Sequence, residues 1–376
     1  MGLYIGIYGL FAFLSVYELF FIKNSRRSAV FQGIVIAVLL ILTAVRGGPY
    51  GDYYNYKDIF EVYTVTDTFF VKRNFIFEPL YSVIQWLCKI IWDNFIFFEI
   101  ILGMIVIFSE HNYAKSYIEY GKKEQNQRGQ YYFTMMYFLW GLYKCNVFFI
   151  RSSIAWVICL NGLKYIQKKD FKRFAVLVLT AAGFHYSALI FVPAYFIYHW
   201  HSRVSTKTIV FLAGTAGLAV SMTAMIRLAV MVIGGDYGNK LSAYLQGDGL
   251  GYGIYSTGSS SLLSFLLRIL LNIGVLVFAG MYLQMTNKRD KYLEGYFNLY
   301  LTGSVLYIAS LFSVGYAFAR ISIYYNAVQV PMLMSFFQKK EWGKKNRQIY
   351  WMLISAYLFA RFYMNSIDEP LIPFWQ

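Results

Sequence analysis

Apolar segments about 20 residues long, the length of a helix that crosses a bilayer, recur from one end of the chain to the other. They are too long and too uniformly apolar for the alternating strands of a membrane barrel, so they predict α-helices. The predicted fold is all-α: a polytopic integral membrane protein with about 12 transmembrane or half-membrane helices in one domain, residues 1–376. The predicted spans are residues 3–22, 29–46, 94–110, 131–147, 150–166, 208–233, 261–285, 293–312, 320–338 and 349–365.

Composition agrees with this interpretation. The chain is 58% hydrophobic and only 14% charged, whereas soluble domains carry about 25% charged residues. The first apolar segment has no basic stretch before it and no cleavage site of small residues after it. It is therefore expected to be the first span rather than a removed signal peptide.

The net charge of +15 comes from short basic clusters between the spans. Examples are KNSRR (23–27), KKDFKR (168–173) and KKEWGKKNR (339–347). Basic residues accumulate in the cytoplasmic loops of membrane proteins, so these clusters predict which loops face inward and argue against nucleic-acid binding. The resulting topology leaves two large external loops, at about 47–77 and 234–260.

Two segments do not fit whole spans. Residues 78–92 are short for a crossing, and Pro79 suits a first helical position, so a helix lying at the outer face or dipping into it is predicted there. Residues 174–198 lie between two basic loops, the second of which is 199–207. A hairpin of two half-length helices that breaks near Gly183–His185 keeps both loops inside, and the alternative is one long span with 199–207 outside.

No metal or cofactor site is predicted. The cysteines lie in apolar segments without a CxxC pair and read as small core residues, and the histidines lack zinc-ligand spacing. These residues are Cys88, Cys145, Cys159, His111, His185, His199 and His201.

Several ionisable residues are predicted at the outer face, where they are candidates for chemistry. Arg151 and Arg320 each begin an inward-running helix, whose positive dipole end disfavours a cation. An anion bound between them would explain both, because arginine and helix N-termini both bind phosphate. A pair with Asp52 or Glu78, or a helix start displaced by one turn, would also explain them.

The other candidates each have a structural alternative. Arg46 can anchor a helix C-terminus, Asp52 can be a turn residue, and Glu78 can be a helix cap. His185 stands alone among apolar residues and can be a satisfied core group, or an ionisable group at a helix break. Tyrosines of the external loops can lie at the membrane interface or stack on sugar rings, and Tyr53 and Tyr56 are the candidates for stacking.

Four stretches of the sequence resemble the EpsG-like family of Wzy-type bacterial polysaccharide polymerases. RGGPYGDYYNYKDIF (46–60) resembles the Arg-x-x-x-Gly-x-Asp-x-x-x-Tyr-x-x-x-Phe stretch of its first external loop, and FEPLY (77–81) resembles its Glu-Pro-Gly-aromatic motif. Residues 150–190 resemble its Arg-Gln-x-x-Ala segment followed by Ala-x-x-Phe-His-x-Ser-Ala. ARISIYYNAVQVPML (319–333) resembles its late Arg-Leu-Ser-x-Tyr segment.

The sequence departs from these motifs at identifiable points. Leu80 stands where the family has glycine, Ser152 stands where it has glutamine, and the residues between Arg46 and Asp52 are spaced differently. The four stretches nevertheless occur in the family's order over most of residues 40–335.

The resemblance implies an enzyme of capsule, exopolysaccharide or O-antigen synthesis in the bacterial cytoplasmic membrane, with its site facing outside. Such an enzyme transfers the growing glycan from undecaprenyl pyrophosphate onto a lipid-linked repeat unit. Arg151, Arg320 and Arg46 would bind the pyrophosphate, and His185, Asp52 or Glu78 would accept the proton of the acceptor hydroxyl. A flippase and a chain-length regulator of the same pathway are the expected protein partners.

Two other functions fit the same features. A ligase-like or acyl transferase of surface glycans would use a similar outer-face site. A flippase or transporter of lipid-linked oligosaccharide would also need broken helices and arginines in a cavity.

Overall fold

The fold is helical throughout the residues that the structure, a computed structural model, describes, apart from one pair of two-residue strands. These residues are 2–21, 25–47, 53–62, 78–124, 131–143, 150–233, 262–285, 290–312, 316–337, 343–368 and 372–373. The α-helices are α1 (Gly2–Phe20), α2 (Ser25–Val45), α3 (Tyr53–Val62), α4 (Pro79–Ile91), α5 (Phe95–Glu124), α6 (Tyr132–Tyr143), α7 (Ile150–Gln167), α8 (Phe171–Phe184), α9 (Ala194–Tyr198), α10 (Val204–Ile233), α11 (Leu262–Met285), α12 (Lys291–Phe312), α13 (Tyr316–Asn326), α14 (Gln329–Phe337) and α15 (Lys344–Asp368). A 3₁₀ helix, η1, covers Tyr186–Phe191, and the strands are β1 (Arg46–Gly47) and β2 (Ile372–Pro373). The predicted all-α class is confirmed.

The chain divides into two compact units. Unit 1 contains Met1–Val192 together with Leu333–Gln376, and unit 2 contains Pro193–Met332. Aromatic side chains such as Phe11, Phe98 and Phe133 fill the core of unit 1, whereas Tyr300 and Tyr324 are buried in unit 2.

Apolar character along the helices supports a membrane location. By length and composition, the stretches Phe95–Ile118 and Leu266–Met285 are suited to crossing a membrane. Shorter apolar stretches, each of 10–17 residues, occur at Ile5–Leu19, Val30–Ala44, Pro79–Ile91, Tyr186–Tyr198 and Val204–Leu218.

Helix α4 has the polarity of a helix that contacts lipid. Its polar side chains Ser82, Gln85 and Lys89 are buried against the protein. On the other side it exposes an apolar ridge formed by Leu87, Ile90, Ile91 and the following Trp92. A helix in water has the opposite arrangement, because exposed apolar surface is unfavourable there. This arrangement favours the predicted position of residues 78–92 at the membrane.

The C-terminal end of the chain returns to the end of α2. Strands β1 and β2 pair antiparallel, with Arg46 opposite Pro373 and Gly47 opposite Ile372. The predicted topology places both segments on the outer face, and the pairing confirms that they lie at the same end of unit 1.

The predicted chain break near Gly183–His185 is confirmed. Helix α8 ends at Phe184, His185 is extended (φ −157°, ψ 117°), and η1 begins at the next residue. The rings of Phe174 and Phe191 then pack with their centroids 6.0 Å apart. Because these rings lie on opposite sides of the break, the chain must reverse its direction at His185.

Contacts within unit 2 favour the hairpin over a single long span at 174–198. His201 Nδ1 lies 3.2 Å and Lys207 Nζ 2.8 Å from the carboxylate of Glu294, near the start of α12. Residues 199–207 therefore lie at the same end of unit 2 as the start of α12, which follows the basic loop NKRDK. That loop is predicted to face the cytoplasm, so 199–207 is placed there too.

Two predicted boundaries are corrected by the structure. Helix α5 continues to Glu124, so the polar stretch predicted as a loop from 110 is helical; it contains one glycine and no proline to end the helix. The predicted span 320–338 is two helices, because Pro331 cannot donate a hydrogen bond to the carbonyl of Ala327, where the turn occurs.

Part of the first predicted external loop, 47–77, lies among the described residues. It contains α3, a helix of 10 residues whose Tyr56 and Phe60 are buried. The second predicted loop, 234–260, lies outside the residues that the structure describes.

Candidate functional site at Glu78, Arg151 and His185

Glu78 is a buried carboxylate at the start of α4. Pro79 occupies the first helical position, and the carbonyl of Glu78 accepts the first backbone hydrogen bond, from Ser82. Its side chain does not cap the helix, although the residue stands at the capping position. With 6% of the residue exposed, the carboxylate is directed toward α7 and the end of α8 instead.

Arg151, in the first turn of α7, is held by Glu78 and by two tyrosines. Its Nη1 donates to Glu78 Oε2 at 2.8 Å, and its Nε donates to the hydroxyl of Tyr56 at 3.0 Å. The guanidinium carbon lies 5.1 Å from the ring centre of Tyr56 and 5.6 Å from that of Tyr81. A planar cation between aromatic rings and a carboxylate has a fixed orientation.

His185 contacts the other oxygen of the same carboxylate. Its Nδ1 lies 3.1 Å from Glu78 Oε1, at ion-pair distance although without hydrogen-bond alignment. The backbone N–H of Tyr186 donates to that oxygen at 3.3 Å. Glu78 thus links the start of α4, the start of α7 and the reversal after α8.

The electrostatics of Glu78 favour its charged form. Burial alone would raise its pKa, but the adjacent His185 and the positive charge of Arg151 outweigh burial and lower the pKa to about 2. Glu78 is consequently ionised at neutral pH. A carboxylate with so low a pKa accepts a proton poorly, which makes Glu78 a better partner for His185 than a general base.

His185 has the features that a general base needs. The Glu78 carboxylate stands beside Nδ1, so Nε2 lies on the opposite side of the imidazole ring, and 29% of the side chain is exposed. This arrangement lets the other nitrogen accept a proton from a hydroxyl.

A sequence model of the EpsG family matches residues 29–375, essentially the whole chain. The chain belongs to the EpsG family. This family is associated with Wzy-like polymerases. No curated protein and no solved structure matches the chain.

The structure of this EpsG chain brings together three of the ionisable residues expected at the outer face, Glu78, Arg151 and His185. It thereby supports the alternative in which Arg151 pairs with Glu78. Asp52 lies outside the described residues. For Arg46, on β1, and Arg320, on α13, only the backbone is described, so a joint anion site of Arg151 and Arg320 remains a prediction.

The two tyrosines expected to stack on sugars in this EpsG chain have other contacts. Tyr56 is 7% exposed, and Arg151 lies over its ring. Its role as a sugar platform stays a prediction. Tyr53 packs edge-on against Tyr54 and Phe95, so it helps to fix α3 against α5.

Sequence reasoning missed Tyr81 and Tyr186. Tyr81 lies three residues after Glu78 on a helix, a spacing that puts two residues on one face and was therefore a usable signal. No periodicity indicated Tyr186, because it follows an irregular reversal of the chain.

Proposed function

We propose that this EpsG-family membrane protein is a polytopic Wzy-type polysaccharide polymerase of the bacterial cytoplasmic membrane. It transfers a growing glycan from undecaprenyl pyrophosphate onto a lipid-linked repeat unit at the outer face. The observation that carries the proposal is the pairing of His185 with the ionised Glu78 in a chain of this family. The reaction needs a group that removes a proton from a sugar hydroxyl, and this pair supplies one.

In the proposed step, the acceptor hydroxyl oxygen attacks the anomeric carbon of the donor glycan. The bond between that carbon and the pyrophosphate oxygen breaks, and the lipid pyrophosphate leaves with the electron pair. His185 Nε2 takes the hydroxyl proton, and Glu78 stabilises the imidazolium that forms. Pyrophosphate is a good leaving group, so positioning and charge stabilisation carry most of the catalysis.

The three arginines have different roles in the proposal, because Glu78 compensates the charge of Arg151 only. Glu78 compensates the charge of Arg151 at 2.8 Å, so the pair brings no net positive charge to a pyrophosphate. In the proposal Arg151 is a fixed hydrogen-bond donor at the edge of the site. Arg320 and Arg46 provide the net positive charge that the leaving group needs.

Two observations support an outer-face site in a polytopic protein. The apolar ridge of α4 occupies the far half of the helix that follows Glu78, so the helix that begins at the site also carries a surface suited to lipid. Pairing of β1 with β2 places the C-terminal strand at the end of α2, as the predicted orientation of those segments requires.

Deletion of the protein in its native host, followed by sizing of the surface glycan, tests the function. A polymerase defect leaves single repeat units on the carrier or on the surface. Repeat units trapped inside the cell would identify a flippase, and full-length glycan that is no longer attached to its final acceptor would identify a ligase. Surface glycan of normal length and normal attachment would contradict all of these assignments.

Complementation of the same deletion strain tests the residues. His185→Gln should not restore long chains, because glutamine cannot accept a proton at neutral pH. Arg151→Lys should restore them at roughly a tenth of the normal level or less, because lysine lacks the two-pronged fork. Immunoblots of membranes establish that both variants accumulate. Full activity of His185→Gln would show that His185 does not accept the proton of the acceptor hydroxyl.

A further inference from the structure

Tyr186 is an exposed aromatic residue next to the proposed base. It is 55% exposed, whereas Tyr56 and Tyr81, which also belong to the site, are 7% and 1% exposed. The rings of Tyr56 and Tyr81 lie against Arg151 and leave little exposed surface for a substrate. Tyr186 therefore supplies an accessible aromatic ring on the residue that directly follows His185.

A backbone hydrogen bond links Tyr186 to the carboxylate that also contacts the proposed base. Its N–H donates to Glu78 Oε1 at 3.3 Å, the same oxygen that lies 3.1 Å from His185 Nδ1. Tyr186 is also the first residue of η1, whose turn is closed by the hydrogen bond from Ala188 N–H to the His185 carbonyl. One carboxylate thus fixes the position of the base and of the residue that carries the ring.

We propose that Tyr186 is the platform that binds the acceptor sugar beside His185; this inference rests on the proposed polymerase function. The apolar face of a sugar ring packs on an aromatic face, and tyrosine offers a large rigid surface at a small loss of side-chain entropy. The base must touch the acceptor hydroxyl, so the acceptor sugar lies within reach of the residue that follows the base in the chain, and that residue is the exposed Tyr186. The donor is held at its pyrophosphate and does not depend on this ring.

A tyrosine at this position has one competing role, which is anchoring at the membrane interface. Leu189 follows one 3₁₀ turn later on the same side of η1 and is also exposed, as expected of a surface near lipid. The two roles respond differently to leucine. Leucine preserves contact with hydrocarbon but removes the flat aromatic face that a sugar needs.

The experiment uses purified full-length protein in nanodiscs. The lipid-linked repeat unit extracted from the deletion strain is the donor, and the same oligosaccharide released from its lipid pyrophosphate is the acceptor, because it has no leaving group and cannot act as a donor. Initial rates are measured while donor and acceptor concentrations are varied separately, for wild type, Tyr186→Leu, Tyr186→Phe and Tyr186→Trp. Tyr363→Leu is the matched control, because Tyr363 is 48% exposed and lies on α15, outside the site. Thermal unfolding of each variant is recorded in parallel.

Tyr186→Leu should raise the acceptor KM roughly three- to ten-fold, the range of one lost aromatic contact. The donor KM should stay within about two-fold of the wild-type value, and the melting temperature should stay within about two degrees of it. Tyr186→Phe and Tyr186→Trp should keep the acceptor KM close to that of wild type, and Tyr363→Leu should change none of these values.

An unchanged acceptor KM in Tyr186→Leu, with active wild-type protein, would overturn the platform while leaving the polymerase assignment intact. An equal rise of both KM values would also overturn it, because an interface anchor would disturb the whole site. If the wild-type protein forms no polymer, the polymerase assignment is contradicted and the inference about Tyr186 falls with it.

Discussion

Glu78 is the residue on which the proposed site depends, because both of its oxygens are used. One faces Arg151, and the other faces His185 and the backbone of Tyr186. Removal of one partner from a buried ion pair leaves the other uncompensated, which typically costs about 3–5 kcal/mol. Glu78 consequently contributes to stability and to the orientation of the base together.

We predict that Glu78→Gln lowers the free energy of unfolding by about 3 kcal/mol and abolishes polymer formation. Glu61→Gln is the matched control, because Glu61 forms an exposed pair with Lys57 at 3.8 Å on α3. An exposed pair contributes about 0–1 kcal/mol. Thermal unfolding in detergent measures both variants, and equal effects would contradict a special role for Glu78.

The difference in stability between wild type and Glu78→Gln should depend on pH, because the pKa of Glu78 is low. The pKa is about 2, below the ordinary value of 4.5, so the ion pair contributes fully above about pH 4.5 and is lost as the pH falls toward 2. The gap in melting temperature between wild type and Glu78→Gln should persist down to about pH 5 and should shrink below about pH 4. A gap that closes between pH 7 and pH 5 would show that Glu78 is not held ionised.

Gly183 and Leu80 form a second residue pair, and it lies next to the site. A Cβ on Gly183 would lie 2.6 Å from Cγ and Cδ1 of Leu80, closer than carbon atoms can approach. We predict that Gly183→Ala destabilises the protein by roughly 1–3 kcal/mol and that Leu80→Ala in the same chain restores most of the loss. Gly217→Ala on α10 is the control, because nothing lies within 4 Å of its Cβ position. An additive loss in the double variant would contradict the contact.

At the scale of elements, the sequence predicted most helices but not the contacts between them. Periodicity and length located α1, α2, α7 and α11 within a few residues. Pro331 indicated the break between α13 and α14, and a rule for proline inside helices would have found it.

Pairings between distant residues could not be deduced in this way. Glu78 and Arg151 lie in different helices, and nothing in the spacing of either helix specifies the other. The sequence therefore supplied a set of candidate charges at one face, including this pair as one alternative. Packing of α4 against α8 decides which of those charges meet.

The strand pair formed by β1 and β2 gives a prediction for the C-terminal segment. Truncation after Leu371 removes Ile372 and Pro373, the two residues of β2, and truncation after Pro373 keeps them. We predict that the first truncation shortens the surface glycan and the second leaves its length unchanged, because Arg46 lies on β1 and is a proposed pyrophosphate ligand. Glycan sizing in the complemented deletion strain distinguishes them. Equal lengths would show that the strand pair does not support the site.

At the scale of the whole molecule, the orientation in the membrane is the main prediction. The topology places Ser187, on η1, at the outer face and Ser202, in the loop before α10, at the cytoplasmic face. In a chain whose native cysteines are replaced, Ser187→Cys should react with an impermeant thiol reagent added to whole cells. Ser202→Cys should react only after the cells are broken. Ready labelling of Ser202→Cys in whole cells would contradict the hairpin and the number of spans.

The apolar ridge of α4 implies that the surrounding lipid influences the reaction. The ridge includes Leu87, Ile90, Ile91 and Trp92, and the same rigid helix starts one residue after Glu78. A change in bilayer thickness shifts the depth at which such a ridge is most favourably placed. Because a rigid helix would transmit that shift to the residue that precedes it, we expect the distances between Glu78, Arg151 and His185 to depend on bilayer thickness. We therefore expect lipid composition to affect the rate of the proposed chain growth.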